Sequence, residues 1–504
     1  MTDVVPLVES TPEALGSGSI VRVDACEFRD FVNGTFFIGS FSSDASGDGC
    51  STFDVRSSVF TNNTGVDLPL SQVSGDCCGG AINIDASANS TISIVASEFS
   101  SNNATLDGGA VRLIGGGSVS DGFSSVFIES TLFRMNSGRN AGALFVNGVN
   151  PTIRNSSFTE NTATSEGGAV LVEDGGTLDI RDSIFTNNSA FDDGGAVYIL
   201  EVNAQTIRNS SFTENTADAG GAVFVENGDT LDIRDSIFTN NSVSDDGGAV
   251  NIVEINAPTI RNSSFTENTA EDGGAVSVNI GDTLDIRDSI FTNNSASDDG
   301  GAVNILEVNA LTILNSSFTE NTAEDGGALS VNIGDTLDIC DSIFINNNAI
   351  RDGGAAEILG VNASTIRNSS FTENFASEES GGAVFVEDGD TLDIRDSIFT
   401  NNSALVEGGA VFASGLEEGF TCEMATFIGN FVEGFGGGVL TENVGPVNFT
   451  ANEFVQNEAN GEGGGFFSED TTGSNPLFTN VSNVFTDNTA PLSPNSFASG
   501  FSNT

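Results

Sequence analysis

The sequence predicts an all-β fold, a single-stranded right-handed parallel β-helix solenoid. A Phe-x-x-Asn motif and a Gly-Gly-Ala motif alternate along the chain in steps of 26 to 28 residues, a period typical of solenoids. Between the motifs apolar and polar residues alternate, as in half-buried strands. No segment has helical periodicity. At about 27 residues per coil, we expect about 16 to 18 coils.

Ten copies of the motif pair are nearly identical, and looser copies extend in both directions. Regular members include Phe158, Asn161, Gly167 and Gly168; Phe185, Asn188, Gly194 and Gly195; and Phe238, Asn241, Gly247 and Gly248. We expect residues 1–55 to form an irregular N-terminal cap, 56–490 the β-helix repeats and 491–504 a C-terminal tail. These twelve residues are assigned structural roles in the repeat.

The first part of one coil predicts two strands. Leu178 and Ile180 alternate with polar residues, which gives the period of a half-buried strand. A bend at Asp182 separates them from Phe185, which continues the alternation. Because equivalent phenylalanines occupy the same place in every coil, we expect their rings to stack inside the helix.

The second part of the coil predicts a corner, a bend and a third strand. Asn188 and its equivalents are expected to form a coil-to-coil amide ladder. Gly194 and Gly195 supply a bend with positive φ or a close approach between coils. The position of Tyr198 accepts residues as different as Asn and Phe in other coils, so we expect it to face solvent and its neighbours to face inward.

The repeat is a double unit with a charge rule. Three residues before each Phe, asparagine alternates with aspartate from Asn155 and Asp182 to Asn368 and Asp396. Two residues after Phe, glutamate alternates with asparagine in the opposite phase. Like charges stacked about 4.8 Å apart repel appreciably. The alternation therefore makes a very acidic ladder tolerable.

The composition excludes several classes of partner. The net charge is −56, from 71 acidic residues and 15 basic ones, all arginine. Nucleic acid, which is bound through basic residues, is therefore not expected as a partner. No apolar run is long enough to span a bilayer. The first residues, MTDVVPLVES, lack a basic segment and an apolar segment, so no signal peptide is visible and we expect a natural start further upstream.

Few residues suited to catalysis or strong metal binding are present. The chain has no His, which excludes Ser-His-Asp and Cys-His arrangements, and no Lys, which excludes a P-loop. Cys26, Cys50, Cys77 and Cys78 are close enough in sequence to pair. Cys340 and Cys422 are expected about 14 Å apart, at about 4.8 Å per coil, beyond disulfide reach.

The motif pair resembles the repeats of chlamydial polymorphic outer membrane proteins and related right-handed β-helix proteins with the pectin-lyase-like fold. Phe158, Asn161 and Gly167-Gly168-Ala169 carry this resemblance, as does the copy at Phe238. It implies a secreted or surface-exposed β-helix that acts in adhesion or surface architecture. The chain lacks the alternating strands of a C-terminal translocating domain, so we expect a non-bacterial surface protein or a fragment.

Departures from the repeat mark the candidate site. Cys340, Arg351 and Glu357 interrupt their columns on neighbouring coils, and they form a candidate recognition patch. The longer loops at 64–78 and 111–128 are the other candidates. No cofactor is expected. Acidic corners such as Asp245-Asp246 and Asp298-Asp299 predict only weak binding of Ca²⁺ or other counterions.

These observations favour a non-enzymatic, extracellular or cell-surface protein, adhesin-like or a structural scaffold, that presents an acidic surface. Its expected partners are surface glycans or other proteins, and we expect a monomer. The alternative is a polysaccharide-acting enzyme, a pectate-lyase-like or other acidic-glycan lyase or esterase, which would use Asp and Arg on the helix face.

Overall fold

The computed structural model describes residues 20–30, 36–38, 52–65, 80–86, 89–115, 123–469, 478–491 and 497–500. The chain divides into two compact units, Met1–Thr206 and Ile207–Thr504. Each is a parallel β-helix in which strands of successive coils pair in register. The described residues contain strands and turns and no helix, which confirms the predicted fold class.

A phenylalanine sheet carries the Phe of each coil in a three-residue strand. Because these strands are short, the chain bends on both sides of each ring. In the first unit the strands are Glu27–Arg29, Val59–Thr61, Glu98–Ser100, Leu132–Arg134, Ser157–Thr159 and Ile184–Thr186. In the second they are Ser211–Thr213, Ile237–Thr239, Ser264–Thr266, Ile290–Thr292, Ser317–Thr319, Ile343–Ile345, Ser370–Thr372, Ile398–Thr400, Thr426–Ile428, Glu453–Val455 and Val484–Thr486.

A short sheet of two-residue strands follows the Asn of most coils. Its strands in the first unit are Thr64–Gly65, Asn103–Ala104, Ser137–Gly138 and Thr162–Ala163. Those in the second are Thr216–Ala217, Ser242–Val243, Thr269–Ala270, Ser295–Ala296, Thr322–Ala323, Asn348–Ala349, Phe375–Ala376, Ser403–Ala404, Phe431–Val432 and Glu458–Ala459. Of the seventeen coils with a described phenylalanine strand, fourteen also have this short strand.

A long sheet forms the remaining wall. In the first unit its strands are Ile20–Asp24, Phe36–Ile38, Thr52–Arg56, Ile82–Ala86, Thr91–Val95, Val111–Gly115, Ser124–Glu129, Leu144–Asn147, Val149–Arg154, Val170–Glu173, Thr177–Arg181 and Val197–Leu200. Ala204–Arg208 lies at the division between the units. In the second unit they are Val223–Arg234, Val250–Arg261, Val276–Arg287, Val303–Leu314, Leu329–Cys340, Ala356–Arg367, Val384–Glu387, Thr391–Arg395, Val411–Ser414, Gly419–Glu423, Val439–Glu442, Val447–Thr450, Phe466–Glu469, Phe478–Val481 and Phe497–Gly500.

The three walls differ from the predicted strands in two respects. The segments after the Gly pair and before the Phe both belong to the long sheet, and in central coils they join into one strand of twelve residues, as in Val276–Arg287. The short sheet was not predicted, because two residues such as Ser295–Ala296 are too few to show an alternation.

The predicted aromatic column is present in each unit. Phe158 and Phe185 stack with ring centroids 4.8 Å apart and planes 2° apart, and Phe265 and Phe291 stack at 4.8 Å and 4°. All four rings are fully buried. Each fully buried ring removes about 150–250 Å² from water, so the column is a main source of core stability.

The predicted asparagine ladder is also present, and it is fully hydrogen bonded. Nδ2 of Asn294 donates to Oδ1 of Asn321 at 3.0 Å and to the Phe265 carbonyl at 3.0 Å. Oδ1 of Asn294 accepts from Nδ2 of Asn268 at 3.0 Å and from its backbone N at 3.1 Å. The side chain is fully buried, so these bonds offset its desolvation.

The two glycines of the pair have different roles, and both predicted reasons apply. Gly167 and Gly194 have φ of +64° and +66°, a conformation that side chains with a Cβ disfavour. Gly168 allows a close approach instead, since a Cβ there would lie 1.9 Å from the carbonyl oxygen of Gly195 on the next coil. The first glycine makes the bend and the second lets coils pack.

The alternation of acid and amide has a direct structural basis. Nδ2 of Asn262 donates to Asp235 at 2.7 Å, and Nδ2 of Asn315 donates to Asp288 at 2.6 Å. Each carboxylate therefore has an amide donor on the following coil rather than a second carboxylate. These positions also have positive φ, 52° at Asp235, a conformation that Asn and Asp tolerate.

Strands continue in register on both sides of the predicted boundary at residue 55, because Ile20–Asp24 pairs with Thr52–Arg56. The division into cap, repeats and tail stays a prediction. Cys26, Cys340 and Cys422 are free thiols. Cys50, Cys77 and Cys78 lie outside the described residues, as do residues 66–78 of the first candidate loop and 116–122 of the second. No helix in the described part could cross a membrane.

We expect Asn294→Ala to lower the free energy of unfolding by about 3 kcal/mol or more, because each buried partner left unpaired costs about 1–3 kcal/mol. Ser297→Ala, an exposed change in the same coil, should stay within about 0.5 kcal/mol. Urea unfolding followed by circular dichroism measures both. Equal stability of the two variants would contradict the ladder's role.

Candidate functional site

The position predicted to face solvent is instead covered, which corrects that expectation. Tyr198 is 5% exposed and Phe224 8%. The reason is the bend before the strand: a Cβ on Gly194 would lie 2.9 Å from the Cβ of Tyr198, so the glycine packs directly over this side chain. Sequence variation at this position therefore reflects different packing beneath a loop.

In the second unit the covered positions change from apolar to polar and back. We call the polar stretch the covered row; its members are Asn251, Ser277, Asn304, Ser330 and Glu357, aligned by strand register. Phe224 precedes it and Phe385 follows it. Downstream the position is filled by an apolar cluster of Phe385, Phe412, Leu440 and Phe467. Within the second unit, polar character at this position is thus limited to five coils.

A second row of acids borders the covered row. This acid row consists of the residue before the first glycine in the same five coils: Asp246, Asp272, Asp299, Asp325 and Asp352. Oδ1 of Asp272 accepts from the Asp299 backbone N at 2.9 Å, and Oδ1 of Asp325 accepts from the Asp352 backbone N at 3.0 Å. In these two pairs, the carboxylate on one coil therefore contacts the backbone of the acid on the next coil.

Burial and mutual repulsion perturb these carboxyls. Burial, together with neighbouring carboxylates, raises the pKa of Asp246 to about 6, of Asp299 to about 7 and of Asp352 to about 6. Desolvation disfavours the charged form, and a like charge nearby adds to that effect. Asp246, Asp299 and Asp352 therefore take up protons closer to neutral pH than an ordinary aspartate does.

Among the carboxyls of the site, Glu357 has the most strongly raised pKa. It is 6% exposed, and burial, with Asp325 and Asp299 nearby, raises its pKa to about 8. Its Oε2 accepts from Oγ of Ser330 at 3.1 Å. Carboxylate oxygens of Asp325, Asp352 and Glu357 lie within 4.8 Å of one another. Such oxygens suit hard cations, and weak counterion binding stays a prediction.

Arg351 joins this group, whereas Cys340 does not. Nη1 of Arg351 lies 3.0 Å from Asp325 and 3.4 Å from Glu324. Cys340 is at the far end of the strand that carries Ser330, where Nε of Arg367 donates to its Sγ at 2.8 Å. The structure thus brings together two of the three predicted patch residues. Sequence reasoning noted Asp246 and Asp299 but missed Asp325 and Asp352, which the same position before Gly-Gly identifies.

Arginines at the C-terminal ends of several long-sheet strands are paired with acids, Arg287 and Arg367 among them. Nε of Arg287 lies 2.5 Å from Asp285, and Nη2 of Arg367 lies 2.6 Å from Asp338. These side chains are about half exposed, so each pair contributes about 0–1 kcal/mol. The pairs lie on the coil surface away from Glu357.

We expect Glu357→Gln to remove a pH dependence of stability. Because the folded-state pKa is raised, the folded chain binds this proton more tightly than the unfolded chain. The free energy of unfolding therefore falls as pH rises from about 4.5 to about 8, at up to about 1.4 kcal/mol per pH unit. At pH 9 the Gln variant should melt at a higher temperature than the parent.

The matched control is Glu378→Gln, an exposed change on the next coil. Scanning calorimetry at pH 5 and pH 9 compares the three proteins, and only Glu357→Gln should narrow the difference in Tm between the two pH values. If Glu357→Gln showed the same difference in Tm between pH 5 and pH 9 as the parent, the folded chain would not raise the pKa of Glu357, and the prediction would be wrong.

Comparisons with known proteins give a family match to part of the chain and a structural neighbour. The Chlamydia polymorphic membrane protein repeat matches residues 155–173, 182–200, 288–305 and 396–414. No curated protein matches the sequence. A mutant of the PL6-family alginate lyase AlyGC is a structural neighbour at 11% identity and a TM-score of 0.22, over 94% of this chain and 98% of that one. The chain is thus a parallel β-helix, and four of its segments match the Chlamydia polymorphic membrane protein repeat.

Proposed function

We propose that this chain is a non-enzymatic surface protein, an adhesin-like or scaffolding β-helix that presents an acidic face. The observation that carries the proposal is the repetition of outward side chains on successive coils, such as Asp235 and Asp288 with their amide partners. A repeated array offers an extended surface for binding. Its repeat family, named for a chlamydial membrane protein, supports a location at the outer membrane or cell surface.

The partners we propose are surface glycans or other proteins, and the chain acts as a monomer. Many similar weak contacts along one face add up when the partner is itself repetitive, because the second contact forms within the same complex. The large negative charge would favour cationic partners and exclude nucleic acid. Light scattering of the purified chain tests the monomeric state.

Catalysis on an acidic polysaccharide is the alternative, and the site geometry ranks it second. A lyase or esterase would need an acid and an arginine that both reach the substrate. Arg367 and Arg395 are paired with Asp338 and Asp393, and Glu357, which has the most perturbed pKa, is covered. The catalytic alternative therefore needs the loop over Glu357 to open.

An array of glycans and extracellular proteins, together with a lyase assay on acidic polysaccharides, tests the proposal. We expect retention on a subset of array spots and no rise in the ultraviolet absorbance of unsaturated uronates. The heat-denatured chain is the control, since it keeps the charge but loses the ordered rows. Turnover of a polysaccharide would overturn the proposal, and so would equal retention of the denatured chain.

A further inference from the structure

A groove runs along the second unit where the long strands of five successive coils bend. Two outward columns border it. The first contains Glu254, Ile280, Glu307, Ile333 and Gly360, and the second contains Asn256, Asp282, Asn309, Asp335 and Asn362, with Gly281 and Gly334 between them. The groove has a volume of about 580 Å³, which is in the range of ligand sites.

The charges in the groove alternate from side to side. Glu254 and Glu307 lie in the first column, and Asp282 and Asp335 lie in the second, on the intervening coils. None of the residues that line the groove is basic. Nδ2 of Asn362 donates to Asp335 at 3.1 Å, which uses one acceptor site of a carboxylate that has about four. The groove therefore presents one exposed carboxylate to a cation on each of its first four coils.

Two isoleucines give the groove an apolar component at an unfavourable position. Ile280 and Ile333 are 44% and 53% exposed, and both have φ of +64°. A β-branched residue in this conformation is a genuine outlier. Other coils place Asn227 or Gly360 at the same corner, with φ of 57° and 61°. Isoleucine thus occupies an exposed corner at which other coils have residues that adopt the same backbone conformation with less strain.

We propose that this groove binds an extended segment of a partner protein that is rich in Lys or Arg. Such side chains combine an aliphatic stem with a cationic head, and they lay the stem on apolar surface while the head stays at a charged group. Stems would pack on Ile280 and Ile333, and heads would reach Asp282, Glu307 and Asp335. The inference rests on the proposed function and names the chemistry of one partner.

The size of the groove agrees with a short segment. Five coils at about 4.8 Å per coil give a span of about 19 Å between the first and the last. About six residues of extended chain cover that distance. The overall charge of −56 would accelerate association with a cationic segment, and added salt would reduce this effect.

Binding of a synthetic peptide with Lys at alternate positions, followed by isothermal titration calorimetry at low salt, tests the proposal. A peptide with Gln in place of Lys is the ligand control and should not bind. We expect Asp282→Asn with Asp335→Asn to weaken the Kd about tenfold. Glu378→Gln with Glu433→Gln makes the same change in net charge at exposed positions outside the groove, and should change the Kd less than about twofold.

The apolar contribution is tested separately by Ile280→Asn with Ile333→Asn. Asparagine suits the positive φ, so the variant should melt no lower than the parent, while peptide affinity falls about threefold. Equal losses in the groove pair and the control pair would overturn the proposal, because binding would then be diffuse attraction to charge. Absence of peptide binding would also overturn it.

These outcomes are distinct from failure of the proposed function. Retention on glycan spots by the Asp282→Asn, Asp335→Asn variant would leave the surface role intact even if the peptide does not bind. Turnover of a polysaccharide would remove the non-enzymatic role, and it would leave the peptide affinities unchanged.

Discussion

The stacking of coils in register is the constraint on which the rest of this structure depends. Each side chain has its equivalents on the coils before and after it as nearest neighbours, as the 4.8 Å separation of Phe265 and Phe291 shows. A residue type that packs or hydrogen bonds well with its own copies therefore adds a favourable contact at every coil of the column. Phenylalanine does so by ring stacking, and asparagine does so because its amide both donates and accepts.

Charged residues are the converse case, because a carboxylate next to its own copy is repelled. The chain limits this cost in two ways. On the surface an amide replaces every second acid and donates to it, as Asn315 does to Asp288. In the acid row no amide intervenes between Asp299 and Asp325, and burial, together with repulsion between carboxylates, raises the pKa of both. Protonation of Asp299, whose pKa is about 7, then relieves the repulsion that an amide relieves on the surface.

Much of this fold could be predicted from the sequence, because stacking converts a period into spatial columns. Phe185, Asn188 and Gly194 were each assigned the correct role from their recurrence alone. The covered state of Tyr198 could not be predicted, since it depends on how the Gly-Gly bend lies over the next strand. For the same reason the group of Asp325, Asp352 and Glu357 was missed: the bend brings together positions five residues apart.

Departures from the repeat carry more information in this chain than its motifs do. Every motif residue has a structural role that repeats, so its presence does not point to a partner. Glu357 stands where other coils place Phe or Ser, and Ile280 stands where others place Asn or Gly. Both substitutions cost stability, the first by burying a carboxyl and the second by backbone strain. A residue that departs from the repeat and lowers stability without improving packing is therefore a good candidate for a functional role.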